Sequence, residues 1–315
     1  MVIVQSISKY DKKRTTAITI GTFDGVHIGH RKILERLINS AKKLDLQATV
    51  LTFFPHPRMV LQKDTDIRLL NTMEEKAQIM ERIGVDSLII HPFTKEFSRL
   101  SSTDFVRDIL VNNLKAKKVI IGYDHRFGRN RTANINDLVA FGAILDFEVE
   151  EIPAQEIDDI SISSTKIRNA ITAGDIRTAN SYLGYEYMLT GKVIKGKGLG
   201  KKLNFPTANL HVKEQYKLIP KNGVYVVKSQ IGGEIIFGMM NIGYNPTVNA
   251  EQQAEGFIQK TIEIHFLNFD EDLYDKKLQV QILERIRDEH KFDSLEALQI
   301  QLQKDKETSL AIIAR

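Results

Sequence analysis

Residues 17–30 have the sequence A-I-T-I-G-T-F-D-G-V-H-I-G-H, which predicts a short strand, a glycine-rich turn and the start of a helix. Glycines in such a turn allow the backbone to approach a ligand closely. A helix N-terminus offers free N–H groups and a partial positive charge, both of which suit a phosphate. We therefore expect a phosphate site at this turn.

The turn carries two histidines, His27 and His30, which are three residues apart. At the start of a helix that spacing places both on one face, where two imidazoles can donate hydrogen bonds to phosphoryl oxygens in a transition state. One alternative is a glycine turn with two incidental histidines. A zinc site is disfavoured, because the metalloprotease pattern separates its histidines by four residues with a glutamate between them.

Outward from this turn, the sequence up to about residue 180 alternates strand-like and helix-like stretches. The predicted strands are 17–20, 47–53, 85–90, 118–121 and 147–152, and the predicted helices are 31–44, 74–83, 102–114 with Ser102 as its cap, and 135–145. This alternation predicts a mostly parallel sheet with helices on both faces. Ligands of such sheets bind beyond the carboxyl ends of the strands.

The pattern changes near residues 183–187, where short β-rich stretches separated by glycine begin. They cover 188–194, 224–231, 235–239, 261–266 and 278–286, and an amphipathic helix over 294–303 follows them. Gly232 and Gly233 indicate a hairpin between two of these strands. The sequence thus predicts a small antiparallel barrel or sandwich after an α/β region, in two domains that cover residues 1–184 and 185–315.

Composition limits the class of protein. The chain has 315 residues, a net charge of +4 at pH 7, 42% hydrophobic residues and no cysteine. These values are typical of a globular protein, and the lack of cysteine excludes disulfides, thiolate metal sites and a cysteine nucleophile. The N-terminal apolar run is too short for a signal peptide and no stretch is apolar enough to span a membrane, so we expect a cytoplasmic protein.

A second helix start carries cationic and hydroxyl side chains. Residues 162–168 have the sequence I-S-S-T-K-I-R and open a predicted helix that runs to Ala173. Taken alone, a serine here could be only a helix cap and Arg168 only a solvated side chain. Paired with the first turn, the segment offers a second helix N-terminus that could bind the far end of a triphosphate.

The second half has a basic, glycine-rich segment, K-G-K-G-L-G-K-K-L-N at 195–204, followed by F-P-T-A-N at 205–209. The first is either a flexible basic loop or a mobile flap that covers phosphates. Thr207 and Asn209 are two apart, so in a strand they share a face, and their neutral oxygens suit Mg²⁺ that is bound to nucleotide phosphates. The alternative for the second segment is a structural turn.

Glu263 lies in a strand-like stretch between Ile262 and Ile264. A charged residue in a strand usually faces solvent. If Glu263 instead faces a nucleotide site, its carboxylate could accept a hydroxyl proton as a general base.

The first turn and the I-S-S-T-K-I-R segment together resemble the adenylyltransferase module of bacterial bifunctional riboflavin kinase/FAD synthetases. The resemblance implies ATP and phosphate contacts from Gly21, Phe23, Gly25, His27, His30, Ser164, Thr165 and Arg168. Two more loops, at 54–57 and 122–128, resemble family loops at the nucleotide and flavin sides, which implies contacts on the FMN side from Pro55, His56, Pro57, Asp124, Arg126 and Phe127. The family more usually has phenylalanine at the position of His125 and often asparagine at that of Asp124.

The flap, the F-P-T-A-N segment and Glu263 resemble, in this order, the kinase domain of the same enzymes. The resemblance implies a six-stranded antiparallel flavokinase barrel with a terminal helix, behind a Rossmann-like nucleotidyltransferase domain. It implies ATP and flavin contacts from Gly196, Lys197, Gly198, Gly200, Lys201, Pro206, Thr207, Asn209, Tyr225, Asn241, Arg287 and Phe292. The family often has glycine where Asn204 and Asp275 stand.

The resemblance also implies the chemistry. Glu263 would deprotonate riboflavin so that it attacks the γ-phosphate of ATP, and Thr207 and Asn209 would bind Mg²⁺. The FMN formed would then attack the α-phosphate of a second ATP, with His27 and His30 at the transferring group and Arg168 at the departing pyrophosphate. The expected partners are ATP, riboflavin and FMN, with no nucleic acid or membrane, in a monomer or weak oligomer.

Two alternatives remain open. Only one of the two sites could be active, which separate assays for FMN and FAD would distinguish. The positive charge could instead indicate a non-catalytic nucleic-acid binder, although its lysines cluster beside residues 205–209 and no recognition helix or zinc finger is visible. Salt-dependent binding to generic DNA or RNA would support that alternative.

Overall fold

The computed structural model describes residues 1–11, 13–62, 67–153, 162–196, 200, 203–244 and 260–315. Backbone contacts divide the chain into two compact units, Met1–Ser164 and Thr165–Arg315. The division that we predicted between residues 184 and 185 lies further along the chain, and it stays a prediction.

The first unit is built on a six-stranded sheet. Its strands are β1 (Val2–Val4), β2 (Thr16–Ile20), β3 (Gln47–Phe54), β4 (Ser87–Pro92), β5 (Ala116–Gly122) and β6 (Glu148–Ile152). They lie in the order β1-β4-β3-β2-β5-β6, and every pairing is parallel, which confirms the predicted parallel sheet. The three-residue edge strand β1 was not predicted.

Helices connect these strands. They are α1 (Ile28–Leu44), α2 (Pro57–Leu61), α3 (Met73–Ile83), α4 (Ser102–Asp104) and α5 (Ile135–Leu145). The prediction of one regular helix capped by Ser102 was wrong in two respects. The cap is Ser101, which has extended backbone and whose Oγ accepts a hydrogen bond from the Asp104 N–H at 3.0 Å. Beyond α4 the segment Phe105–Asn113 is π-helical, and the Leu114 N–H donates to the Ile109 carbonyl five residues back.

The order of the strands creates a switch point at β2. The chain leaves β2 toward β3 on one side and later returns to its other side as β5. The carboxyl ends of parallel strands meet at one edge of the sheet, and ligands bind where the strand order reverses. Three predicted loops follow these three strands at that edge: Gly21–His30 after β2, Pro55–Pro57 after β3, and Tyr123–Gly128 after β5.

The second unit is a closed antiparallel barrel with helices before and after it. Its elements are α6 (Ser164–Ala173), α7 (Ile176–Leu183), β7 (Met188–Ile194), β8 (Ala208–His211), β9 (Gly223–Ile231), β10 (Glu234–Tyr244), β11 (Lys260–Phe266), β12 (Lys277–Arg287) and α8 (Leu295–Ile313). The barrel order is β10-β11-β8-β7-β12-β9, which confirms the predicted six-stranded barrel. The hairpin predicted at Gly232 and Gly233 joins β9 to β10.

The terminal helix α8 extends beyond the predicted end at residue 303. The prediction stopped too early because the second half of the helix buries polar rather than apolar residues. Its buried residues are Asp305 and Ser309, and the Ser309 hydroxyl donates to the Asp305 carbonyl at 2.7 Å. Asp305 accepts three hydrogen bonds from the Arg287 guanidinium, with Nε–Oδ1 at 2.9 Å, Nε–Oδ2 at 3.1 Å and Nη2–Oδ2 at 2.7 Å. An apolar-periodicity argument cannot detect a helix that is held by such an ion pair.

Candidate active sites

The turn after β2 has left-handed backbone at three positions. The φ angles are +45° at Phe23, +88° at Gly25 and +38° at Val26. Positive φ is costly for a β-branched residue, and such strain persists only where the surrounding structure determines the conformation.

Hydrogen bonds from three other segments hold the turn. The Thr22 carbonyl accepts from Lys76 Nζ at 2.7 Å and from Thr52 Oγ1 at 3.2 Å. The carboxylate of Asp24 accepts from the Leu70 N–H at 2.9 Å, and its carbonyl accepts from Ser164 Oγ at 2.9 Å. Ser164, the last residue of the first unit, therefore contacts the first motif.

The two histidines stack on each other at the start of α1. Their ring centroids are 3.7 Å apart with an interplanar angle of 19°. His27 is the helix N-cap, and its Nδ1 accepts a hydrogen bond from the His30 N–H at 3.4 Å. Since Nδ1 of His27 is an acceptor, its neutral ring carries the proton on Nε2, which is then free to donate to a ligand.

Burial keeps both rings neutral. It lowers the pKa of His27 to about 4, although the charge of Asp24 acts in the opposite direction. Burial also lowers the pKa of His30 well below its usual value, and the charges of His27 and Lys76 lower it further. At neutral pH the pair therefore offers hydrogen-bond donors rather than two cations.

Aromatic packing places the other residues of the turn. Phe23 is buried and meets the His30 ring edge to face at 5.2 Å. A Cβ on Gly21 would lie 3.0 Å from the Phe23 ring, so the glycine allows this ring to lie against the backbone. Gly21 thus serves the close packing of the turn itself.

The side chains of the two predicted FMN-side loops differ in their contacts and in their exposure to solvent. His56 caps α2 through its Nδ1, which accepts from the Arg58 N–H at 3.2 Å, and Pro57 is the first residue of that helix. Asp124 and Arg126 are exposed. Phe127, in contrast, is buried in the core of the sheet, 5.9 Å from the Phe105 ring, so its described role is packing.

In the barrel, three polar residues form a row across adjacent strands. Glu263 on β11 pairs directly with Asn209 on β8 and with Asn241 on β10. Directly paired residues of an antiparallel sheet lie on the same face. The Thr207 hydroxyl is 3.4 Å from Glu263 Oε2, so the structure brings Thr207, Asn209 and Glu263 together.

Two described glycines of the predicted flap make close approaches, Gly196 to this row and Gly200 to the segment before β8. A Cβ on Gly196 would lie 2.1 Å from Asn209 Nδ2, and one on Gly200 would lie 2.2 Å from the Phe205 carbonyl oxygen. Only glycine allows these approaches. The predicted flap residues Lys197, Gly198 and Lys201 lie outside the described residues.

The segment that carries Thr207 is supported from two sides. The Pro206 carbonyl lies 2.9 Å from Nδ1 of His265, which donates to it. Phe205 is buried with Leu203 and Met239, and Leu298 and Leu302 of α8 pack against this cluster. The terminal helix therefore contributes to the position of the segment that carries Thr207.

Three predicted kinase residues have structural partners. Tyr225 is fully buried and its hydroxyl donates to the Lys221 carbonyl. Arg287 binds Asp305, and its guanidinium carbon lies 5.9 Å from the centre of the Phe292 ring. Direct contacts of these three residues with ATP or flavin stay predictions.

The donor chemistry of the row fits a metal bound mainly by phosphate oxygens. In the part of the chain that the structure describes, no group of three or more His, Asp or Glu side chains could hold a metal ion by itself. Thr207 and Asn209 offer one hydroxyl and one amide oxygen, and Mg²⁺ in nucleotide sites commonly takes few protein ligands and several phosphate or water oxygens.

Sequence reasoning missed Lys76 and Asp24. Lys76 lies on the buried face of α3 with Ala77, Ile79 and Met80. A lysine at an apolar position of an amphipathic helix is a signal that could have been noticed, because lysine is almost never fully buried without a partner. No local sequence signal shows that its partner is the turn after β2.

Comparison with known proteins assigns a different enzyme family model to each of the two parts of the chain. A family model described as FAD synthetase matches residues 9–166, and one described as riboflavin kinase matches residues 183–313. A Listeria monocytogenes protein named bifunctional riboflavin kinase/FMN adenylyltransferase is 38% identical over 299 residues, which are 95% of this chain and 92% of that protein. The chain belongs to the bifunctional riboflavin kinase/FMN adenylyltransferase family.

Other members of this bifunctional family show the same extent of similarity. The Escherichia coli K12 protein of that name is 33% identical over 93% of this chain and 91% of its own. Among solved structures, one titled macrolide-efflux protein from Streptococcus pneumoniae matches with a TM-score of 0.85 and 28% identity, over 98% of both chains. In the described ranges of this chain, no helix has the length and hydropathy needed to cross a membrane.

Proposed function

We propose that this chain phosphorylates riboflavin to FMN with ATP and then transfers an adenylyl group from ATP to FMN, which gives FAD and pyrophosphate. The observation that carries the proposal is the pair of family matches, each of which contains one constellation. The stacked histidines lie in the FAD synthetase match, and the row Asn209–Glu263–Asn241 lies in the riboflavin kinase match.

In the kinase step, Glu263 acts as the general base. Its carboxylate accepts the proton of the terminal ribityl hydroxyl as that oxygen attacks the γ-phosphate of ATP. Thr207 and Asn209 would hold Mg²⁺ together with the phosphates, and the ion would neutralise phosphate charge during the transfer. The residues of the chain mainly position the reactants, which is the principal form of catalysis in phosphoryl transfer.

In the adenylyl step, the phosphate of FMN attacks the α-phosphate of ATP and pyrophosphate leaves. The substrate phosphate is itself the nucleophile, so no covalent enzyme intermediate is needed. His27 and His30 donate hydrogen bonds to the transferring group from neutral rings, which stabilises developing charge. Ser164, Thr165 and Arg168 bind the departing pyrophosphate, while His56, Asp124 and Arg126 contribute on the FMN side.

The test is incubation of the full chain with riboflavin, ATP and Mg²⁺, followed by chromatographic separation of riboflavin, FMN and FAD over time. We expect FMN to appear first and FAD to follow. FMN alone would mean that the adenylyltransferase site is inactive, and FAD only from supplied FMN would mean that the kinase site is inactive. The absence of both products would reject the proposal.

A further inference from the structure

Lys76 is a buried charged residue that the two reaction schemes leave without a task. It lies near the start of α3, is 2% exposed, and donates from Nζ to the Thr22 carbonyl at 2.7 Å. Burial lowers the pKa of its ammonium to about 8, and the carboxylate of Asp24 acts in the opposite direction. Asp24 is thus the counter-charge for this buried cation.

The position of these contacts along the turn is informative. Thr22 and Asp24 flank Phe23, the first residue of the turn with left-handed backbone. Lys76 therefore acts on both sides of the point where the strained conformation begins. A single buried ammonium can hold such a conformation because its loss removes a charged donor from the Thr22 carbonyl and the nearby positive charge from the Asp24 carboxylate.

The start of α3 is itself held by hydrogen bonds, which fixes the backbone that carries Lys76. Thr72 and Glu75 form a capping box, with Thr72 N–H to Glu75 Oε2 at 2.9 Å and Glu75 N–H to Thr72 Oγ1 at 3.1 Å. The preceding Leu70 N–H donates to Asp24. The ammonium and this N–H bind the turn from one connected segment.

The charge of Lys76 also acts on the histidine pair, since it disfavours the protonated form of His30. A fixed cation beside the two rings adds positive potential where the ATP phosphates are expected to bind. These effects and the contacts above all concern the ATP side of the site.

We propose that Lys76 is a positioning residue for adenylyl transfer, which fixes the turn between β2 and α1 so that it receives the phosphates of ATP. The inference rests on the proposed FAD synthetase function. Lys76 acts through Thr22 and Asp24 and is not itself a catalytic residue.

The test uses the full chain with Lys76→Met, which keeps the side-chain length without the charge, and Lys76→Gln, which keeps a hydrogen-bond donor. Arg82→Met, on the exposed face of the same helix, is the matched control. FAD formation is measured at varied ATP and varied FMN, together with riboflavin phosphorylation and thermal unfolding. The rise in melting temperature on addition of ATP without any flavin gives a readout that needs no turnover.

We expect Lys76→Met to lower kcat/KM for ATP in FAD formation by roughly 10- to 100-fold, the scale of a misplaced binding element. The KM for FMN and the kinase rate should stay within about twofold of the parent. Lys76→Gln should lose less, and Arg82→Met should leave all values unchanged.

Two results would overturn the inference: a parent-like kcat/KM for ATP per folded molecule in both variants, or equal increases in KM for ATP and for FMN. If Lys76→Met does not fold, the same criteria apply to Lys76→Gln and to the ATP-induced shift in melting temperature. A parent protein that makes no FAD would reject the proposed function itself, whereas a parent and variants that all make FAD equally well would reject only the role of Lys76.

Discussion

The imidazoles of His27 and His30 are set apart from ordinary histidines by burial, which fixes them as neutral donors over the whole physiological pH range. Sequence reasoning predicted that they share a helix face. It could not predict their protonation state, because that depends on how deeply the fold buries both rings and on the charge that Lys76, from a distant part of the sequence, brings near His30.

The low pKa of His27 predicts a loss of stability in acid. Between the ordinary value near 6.5 and about 4, the unfolded chain binds a proton that the folded His27 does not. The first unit should therefore lose stability as the pH falls through this window, by up to about 3 kcal/mol from this group at ~1.36 kcal/mol per pKa unit. His27→Asn, which retains a capping acceptor, should melt with a weaker dependence on pH between 6.5 and 4.5. A parent-like slope would contradict the assignment, and exposed His290→Gln is the control.

His27→Ala and His30→Ala should each lower FAD formation from FMN by roughly 10²–10³-fold, because each removes a donor from the developing phosphoryl charge. Riboflavin phosphorylation in the same preparation should not change. If both activities and the melting temperature fell together, the histidines would be structural. His27→Asn helps to separate loss of the cap from loss of the donor.

Glu263→Gln keeps the shape of the side chain but cannot accept a proton. Loss of a general base typically costs about 10²–10⁴-fold, so kinase activity should fall by that order. FAD formation from supplied FMN should survive, since the histidine pair belongs to the other unit. Kinase activity within a few-fold of the parent would remove Glu263 from the role of base.

At the scale of elements, the contact between Gly196 and β8 makes a sharp prediction. Gly196→Ala would place a methyl group 2.1 Å from Asn209 Nδ2, so the Asn209 side chain must move out of the row with Glu263. We expect kinase activity to fall at least about 10-fold while the fold is retained, as for a misplaced binding group. The assay is the rate of FMN formation with ATP varied.

Gly233→Ala is a suitable comparison in the same unit. It lies in the β9–β10 hairpin with φ of +95° and open space around it, so alanine strains the backbone there without a clash. It should lower the melting temperature and leave the kinase rate per folded molecule unchanged. Equal kinase losses in both variants would mean that general destabilisation, not the displacement of Asn209, is the cause.

Elements with strong periodicity were predictable from sequence, and elements held by tertiary contacts were not. Strands β2 to β6 and helices α1, α3 and α5 lie within a few residues of their predicted bounds. Strand β1 is only three residues long and is a strand because it pairs with β4. The second half of α8 and the π-helical segment after α4 likewise depend on partners, such as the Arg287–Asp305 ion pair, that no local pattern encodes.

The candidate sites divide in the same way. The glycine turn, the histidines, Thr207, Asn209 and Glu263 could be named as candidates from sequence because their residue types and order indicate a specific chemistry. Lys76 could not be named in this way, because a lone lysine in a helix is common. Its contact with the site, 2.7 Å from Nζ to the Thr22 carbonyl, joins residues that are far apart in the sequence. The described partners of Tyr225 and Phe127 lie in the core, which motif matching does not distinguish from a ligand contact.

At the scale of the whole molecule, helix α7 decides where the kinase unit can be cut. Asn180 donates to the Ile282 carbonyl on β12 at 2.9 Å and accepts from the Tyr187 N–H at 2.7 Å. Arg177 pairs with Glu284 at 2.6 Å. Residues before 185 are therefore part of the support of the barrel.

We expect a fragment of residues 165–315 to fold and to make FMN with Mg·ATP but no FAD. A fragment of residues 185–315 lacks α6 and α7 and should melt at a lower temperature, since it leaves the β12 face without its partners. Circular dichroism compares the folding and the melting temperatures of both fragments, and a product assay measures the FMN and FAD that each one forms. A folded 165–315 fragment that yields no FMN would mean that the kinase site needs residues from the first unit.

The place of β12 in the barrel sets an order of events during synthesis on the ribosome. β12 lies between β7 and β9, so the barrel has a gap until residue 287 has left the exit tunnel, and Asp305, which binds Arg287, emerges later still. All six strands of the first unit are complete by Ile152. Domains fold as they emerge, from the N-terminus onward. A nascent chain can thus carry a finished adenylyltransferase fold while its kinase is still an open sheet, and a premature stop in the last few dozen codons would leave the cell with the second reaction and without the first.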